Sequence, residues 1–177
     1  AIEQFLILVD LAPKGDAKYI IALGKLTLAE NKINEAIAYF IKAYETDPNR
    51  IDILEEAANL SLRSRQLDQA RDLYKKLINI DKNNAYYLST YIDLMVMRGD
   101  YDNGVIALES LVDLEGETTE RLSQLGILYY KLGNSLKAKP LFEKLVEMGD
   151  TDATVLHFLS SIYLEQNKLD SAIVIAY

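Results

Sequence analysis

Counting 34 residues on from Ala36 gives Ala70, Gly104, Ala138 and Ala172, and the same step from Phe40 gives Tyr74, Leu108, Phe142 and Ala176. From Ala43 it reaches Leu77, Leu111 and Leu145. Twelve positions before the first series stand Gly24, Ala58, Ile92, Gly126 and Ser160. Four before those come Ile20, Leu54, Leu88, Leu122 and Leu156, apolar in every copy. No insertion or deletion is needed to hold the register. A fixed period in this range means stacked units, each unable to bury its apolar face alone.

Within a unit the apolar spacing is helical. Ile20, Leu23, Gly24 and Thr27 form one stripe, and Ile33, Ala36, Ile37, Phe40 and Tyr44 form the next. The segment between them is polar, Glu30-Asn31-Lys32, with counterparts Ser64-Arg65-Gln66, Arg98-Gly99-Asp100, Leu132-Gly133-Asn134 and Gln166-Asn167-Lys168. Gly, Asn and Asp tolerate the left-handed backbone that ends one helix and turns into the next. Asp47-Pro48-Asn49, Asp81-Lys82-Asn83 and Gly149-Asp150 close the units. Three prolines and eight glycines are too few for a loop-rich β protein. Each unit is therefore expected to be two antiparallel helices joined by a short turn.

The spacing Leu23-Gly24, Ala36, Phe40, Ala43, Pro48 resembles the tetratricopeptide repeat (TPR), and Leu125-Gly126, Tyr129, Ala138 and Phe142 repeat most of it. The resemblance implies an all-α, right-handed solenoid with repeats at 17–50, 51–84, 85–118 and 119–152, and a partial one at 153–177. Residues 1–16 then supply the second helix of a preceding incomplete repeat, with Ile2, Leu6 and Val9 in register with Ala36, Phe40 and Ala43. The chain begins with Ala and ends at Tyr177 inside an apolar run, so it reads as a segment of a larger protein. Open ends of such an array predict end-to-end self-association of the isolated segment.

Two copies depart from the pattern. In the third, Gly104 replaces Ala, Ile92 replaces a small residue and Gly116 stands where Pro48 stood. A helix-interior Gly costs about 0.5–1 kcal/mol against Ala, so this helix is expected to be looser, either as drift or as a bend. In the fourth, Pro140 predicts a helix that starts late, with the proline in its first turn.

Chemistry is largely excluded. His157 is the single histidine, and with Ser160 and Ser161 it lacks the orienting base partner and oxyanion hole of a hydrolase. One His and no Cys leave no usual zinc site. No Gly-rich loop is followed by Gly-Lys-Ser/Thr, and Asp81-Lys82-Asn83-Asn84 lacks the glycine and distal glutamate of a calcium loop. Asn59-Leu60-Ser61 has the form of a glycosylation signal but falls inside a predicted helix. A net charge of −8 opposes binding to phosphate backbones or anionic lipid. No apolar run approaches membrane-span length. No leader is visible, and the compartment stays open between cytoplasm and bacterial cell envelope or periplasm. No enzyme activity, metal or cofactor is expected.

Surface is what remains. In the TPR-like frame the first helix of each unit lines a concave groove. That gives Lys18, Ile21 and Lys25; Asp52, Glu55, Glu56, Asn59 and Leu62; Tyr86, Ser89, Thr90, Asp93 and Val96; Glu120, Ser123, Gln124, Ile127 and Tyr130; and His157 and Ser161. Tyr86 and Tyr130 read equally as partner anchors or as packing, whereas Tyr91, Tyr129 and Tyr163 read as core. The carboxylate clamp by which some TPR-like proteins hold acidic C-termini needs converging cations and amides. Here Glu56, Glu55 and Glu120 occupy those positions, so the clamp is absent. Asp52, Glu55, Glu56, Asp93 and Glu120 favour a basic or neutral protein or peptide. The expected function is a non-enzymatic protein–protein interaction scaffold. The alternative is an accessory region of a larger enzyme, sensor or transport assembly.

Overall fold

The computed structural model describes Ile7 and residues 16–176. The proposed leading helix, with Ile2, Leu6 and Val9, falls outside the described residues. Ten α-helices and no strands are found among the described residues. They are α1 (Ala17–Ala29), α2 (Ile33–Thr46), α3 (Ile51–Arg63), α4 (Leu67–Ile80), α5 (Ala85–Arg98), α6 (Tyr101–Glu115), α7 (Thr119–Lys131), α8 (Ser135–Glu147), α9 (Ala153–Glu165) and α10 (Leu169–Ala176). The chain forms two compact units, Ala1–Tyr87 and Leu88–Tyr177, which divide within α5.

The turn inside each hairpin is the same structure five times. Asn31, Arg65, Gly99, Gly133 and Asn167 all have positive φ, between 57° and 71°. Around each, two hydrogen bonds cap the preceding helix: Asn31 N–H donates to Leu28 C=O (2.9 Å) and Lys32 N–H to Thr27 C=O (2.9 Å). The later copies of the wider bond run from Gln66 to Ser61, Asp100 to Met95, Asn134 to Tyr129 and Lys168 to Tyr163, all at 2.8–2.9 Å. This is the Schellman motif, which satisfies carbonyls that a helix end otherwise leaves orphaned.

In the first unit α1 packs on α2, α2 on α3 and α3 on α4. Leu23, Ala36, Ile37, Phe40, Ala43, Leu54, Ala57, Ala58, Ala70, Tyr74 and Leu77 are fully buried. Thr27 and its copy Ser61 are buried polar residues that satisfy themselves. Thr27 Oγ1 donates to the Leu23 and Gly24 carbonyls (3.0 and 2.9 Å), and Ser61 Oγ to Ala57 C=O (2.8 Å). Ser61 is thus sealed in the interior, and the Asn59-Leu60-Ser61 signal lies within the helix α3, as expected.

In the second unit α6 packs on α7, α7 on α8, α8 on α9 and α9 on α10, and α9 also touches α7. Leu94, Met95, Leu108, Leu122, Ala138, Phe142, Leu145 and Ile162 form its core. Position 27 of the first copy becomes Tyr129 and then Tyr163, and both reach a carboxylate on the preceding helix. Tyr129 Oη donates to Glu109, and Tyr163 Oη to Glu143 Oε1 at 2.7 Å. A lysine lies over each ring, Lys137 at 4.8 Å from the Tyr129 centroid and Lys139 at 4.9 Å from that of Tyr163.

The late start expected for α8 is not found: the helix begins at Ser135 and runs through Pro140. Asn134 caps it, its side chain accepting from Lys137 N–H at 3.2 Å. Ala138, fully buried, holds the first turn against the core. Pro140 has no N–H to bond the Leu136 carbonyl, and both residues are exposed, so the unmade bond lies on the solvent side of the helix. The third copy's second helix, α6, runs without a break through Gly104 for 15 residues, and Gly116 ends it at φ 86°.

Candidate functional site

Two clefts, one in each unit, gather residues from the first helices. The cleft of the first unit measures about 460 Å³ and is lined by Asp52, Glu55, Glu56, Asn59, Arg63 and Tyr86. Helix α3 contributes five of these because positions 52, 55, 56, 59 and 63 fall on one helical stripe. Its opposite stripe, Ile53, Leu54, Ala57, Ala58, Leu60 and Ser61, is committed to the core. The polar side is left for solvent or a ligand.

Hydrogen bonds fix this side in place. Asn59 Oδ1 accepts from Tyr74 Oη (2.6 Å) and from Tyr86 Oη (2.9 Å). The two phenol oxygens lie 3.3 Å apart. Tyr87 Oη donates to Glu55 Oε2 at 3.1 Å. The rings of Tyr74, Tyr86 and Tyr87 stand mutually tilted or edge-on at 6.0–6.4 Å. Burial, reinforced by the Glu55 carboxylate, pushes the Tyr87 phenol up to about 12. Tyr86 stays 51% exposed while its hydroxyl is held, leaving a positioned aromatic surface at the cleft edge.

The acidic residues differ in their commitments. Arg50 forks onto Asp52, Nε to Oδ1 at 2.9 Å and Nη2 to Oδ2 at 2.7 Å, which holds this carboxyl below its ordinary range. Glu55 accepts from Tyr87 and carries no cation partner among the described residues. Glu56 is half-buried, and likewise no cation pairs with it among the described residues.

The cleft of the second unit measures about 440 Å³ and is lined by Ser89, Ile92, Asp93, Leu111, Thr118, Thr119, Glu120, Arg121 and Gln124. Partial burial pushes the Asp93 carboxyl above its ordinary range, and no cation offsets it among the described residues. Arg121, in the same cleft, donates to the Gly116 carbonyl at 2.9 Å and pairs with Glu115.

Of the residues expected in a groove, the structure gathers Asp52, Glu55, Asn59 and Tyr86 in the first cleft and Ser89, Asp93 and Glu120 in the second. Lys18 and Lys25 are exposed on α1, but Ile21 is 7% exposed and belongs to the core. Ser123 and Ile127 are half-buried on α7, outside both clefts. Tyr130 donates to Glu165 Oε1 at 2.9 Å and its ring lies 5.1 Å from that of Phe158, which meets His157 edge-on at 5.5 Å. Ser160 and Ser161 donate to the backbone carbonyl of His157 at 2.9 and 2.8 Å, so they are tied to the helix and not to the imidazole. Tyr91 and Tyr129 are buried, and Tyr163 is half-buried.

Sequence reasoning missed Tyr74, Tyr87, Arg50 and Arg63 at the first cleft. One signal was available: Tyr74 occupies the position of Phe40 and Phe142, and its added hydroxyl requires a partner. No group of three or more potential metal ligands is found among the described residues. No helix among them is long and apolar enough to cross a membrane.

Two family models, each described as a tetratricopeptide repeat, match residues 27–91 and 123–177. A TPR repeat-containing protein of Treponema pallidum is 29% identical over 143 residues, covering 80% of this chain and 16% of that protein. The chain thus spans about a sixth of that relative's length. Among solved structures, YrrB, described as a TPR protein with an unusual peptide-binding site, superposes with a TM-score of 0.65 at 20% identity, covering 99% of this chain and 90% of its own. A MamA structure gives a TM-score of 0.65 at 18% identity, covering 90% of this chain and 87% of its own. With the helix pairs, the recurring left-handed turns and the small-to-aromatic packing positions, these matches lead to one conclusion: the chain belongs to the tetratricopeptide repeat family.

Proposed function

We propose that this chain is a non-enzymatic protein-interaction scaffold that binds an extended peptide segment or a partner protein on the polar faces of its first helices. The observation that supports this most is the first cleft. Asn59 is fixed by two phenols, and a half-exposed aromatic ring stands beside Glu55 and Glu56, which carry no cation partner among the described residues. Such a surface is preorganised, so little ordering entropy is lost on binding. A rigid aromatic beside uncompensated acids matches a lysine or arginine side chain, through ring-face attraction and charge. The partner is accordingly read as basic or neutral. Lys18, Lys25, Ser123, Ile127, Tyr130 and His157 extend the candidate surface. TPR repeats at 17–50, 51–84, 85–118, 119–152 and 153–177 are the proposed division of the chain.

The test is affinity capture with mass spectrometry, comparing the native chain with Glu55→Lys/Glu56→Lys and with Tyr86→Ala. Partners enriched by the native chain and lost by both variants support the reading. Partners retained at equal yield by both variants overturn the assignment of this cleft.

A further inference from the structure

Resting on the reading of the first cleft as a peptide site, we propose that this cleft selects for charge spacing. Its occupant is an extended segment of another protein that carries an arginine or lysine and, three residues away, an aspartate or glutamate. Arg63 supplies the basis: it lines the same cleft as Glu55 and Glu56 but stands at the far end of their helical stripe. The residue is exposed and pairs with no carboxylate among the described residues. At the other end Arg50 neutralises Asp52, which leaves Glu55 and Glu56 as the negative pole. Between the poles stand Asn59 and the Tyr86 ring whose hydroxyl it holds.

No other repeat has this arrangement. At the positions of Glu55, Glu56 and Arg63 the copies carry Ile21, Ala22 and Ala29; Ser89, Thr90 and Met97; Ser123, Gln124 and Lys131; and His157, Phe158 and Glu165. The two poles therefore lie outside the packing pattern that recurs along the chain. From Glu56 to Arg63 the helix axis advances about 10 Å. A chain in polyproline II geometry returns every third side chain to one face, about 9 Å further on. A β-strand instead sends residues three apart to opposite faces. The basic residue of such a segment meets Glu55 and Glu56, the acidic residue three places away meets Arg63, and the two between lie against Tyr86. A segment with two basic residues at this spacing sets one of them against Arg63, so mixed charge is preferred over uniform charge.

Fluorescence polarisation with short labelled peptides tests this. The probes are Ala-Pro-Arg-Pro-Pro-Glu-Pro-Ala, the same peptide with Gln in place of Glu, and Ala-Pro-Pro-Arg-Glu-Pro-Pro-Ala, in which the charges are adjacent. At low salt the spaced Arg–Glu peptide is expected to bind the native chain at least about threefold tighter than the Gln peptide, the size of one exposed ion pair, and tighter than the adjacent-charge peptide. Arg63→Gln, at an exposed site, keeps the helical circular dichroism and removes the difference between the Glu and Gln peptides. Arg63→Glu reverses that difference. Equal affinity of the native chain for the spaced Glu and Gln peptides overturns the inference and leaves the cleft a site for basic segments. A difference that survives Arg63→Gln also overturns it. Absence of saturable binding by all three peptides overturns both readings of the cleft.

Discussion

The edge of the Phe40 ring lies 2.5 Å from the point where a Cβ on residue 24 would stand, so Gly24 exists as the socket for Phe40. Three repeats later Phe142 comes within 2.8 Å of the same point on Gly126. Both rings are fully buried and cannot retreat. Gly24→Ala and Gly126→Ala are each expected to destabilise the fold by about 1–3 kcal/mol, through overpacking that outweighs the helix preference for Ala. The third copy pairs Ile92 with Leu108 at these positions, so Gly24→Ala should recover in part when combined with Phe40→Leu. A double-mutant cycle in urea checks this, and additive losses would separate the two residues.

Gly104 is the opposite case. A Cβ there would meet Leu128 Cδ1 at 3.5 Å and Met95 Cβ at 3.6 Å, ordinary contact distances. Gly104→Ala should therefore stabilise by about 0.5–1 kcal/mol, raising the thermal midpoint. A lowered midpoint would point to a backbone role for this glycine.

Arg65 holds the turn position that Asn31, Gly99, Gly133 and Asn167 hold elsewhere, at φ 59°. A long side chain in left-handed backbone carries roughly 1–2 kcal/mol of strain. Arg65→Gly is expected to return about 1 kcal/mol in chemical denaturation, with Arg65→Asn between it and the native chain. A loss of stability in both variants would indicate that the Arg65 side chain contributes more than its backbone costs.

Tyr87 and Tyr163 are both pushed up to about 12, Tyr87 mainly by burial and Tyr163 mainly by donating to Glu143. Their ordinary value is 10.0, so the unfolded chain loses these protons first. The stability they contribute is complete below pH 10 and is lost as pH rises from 10 towards 12. Urea midpoints measured across that range should fall, and less steeply in Tyr87→Phe/Tyr163→Phe. An identical slope in the double variant would show that the folded phenols titrate normally.

Much of the fold was legible in the sequence, because its determinants are local and repeat. The stripe Ile20, Leu23, Gly24, Thr27 is buried throughout, and Asn31, Gly99, Gly133 and Asn167 announce their turns. Arg65 does not, because there the cooperative pairing of helices overrides local preference. Pro140 misled for the same reason: its position within the helix is set by the Asn134 cap and the buried Ala138. The α3 face of the first cleft was readable as a helical stripe. Its hydrogen-bond network was not, since Tyr74 and Tyr86 meet Asn59 from other helices and only packing decides where their hydroxyls point. Ile21 shows the converse, a groove-register residue that the core claims.

The proposed role of the first-helix surface around Asn59 and Tyr86 is to bind a basic or neutral segment of another protein. Fluorescence polarisation tests it most directly, titrating the chain against labelled extended peptides of equal length that carry lysine and arginine, only neutral residues, or aspartate and glutamate. Saturable binding is expected in the basic or neutral sets, none in the acidic set, and at least about tenfold loss in Glu55→Lys/Glu56→Lys, with the basic set weakening further as salt rises. Preferential binding of acidic peptides, or affinity for the basic set that is unchanged in the charge-reversed variant, would contradict it.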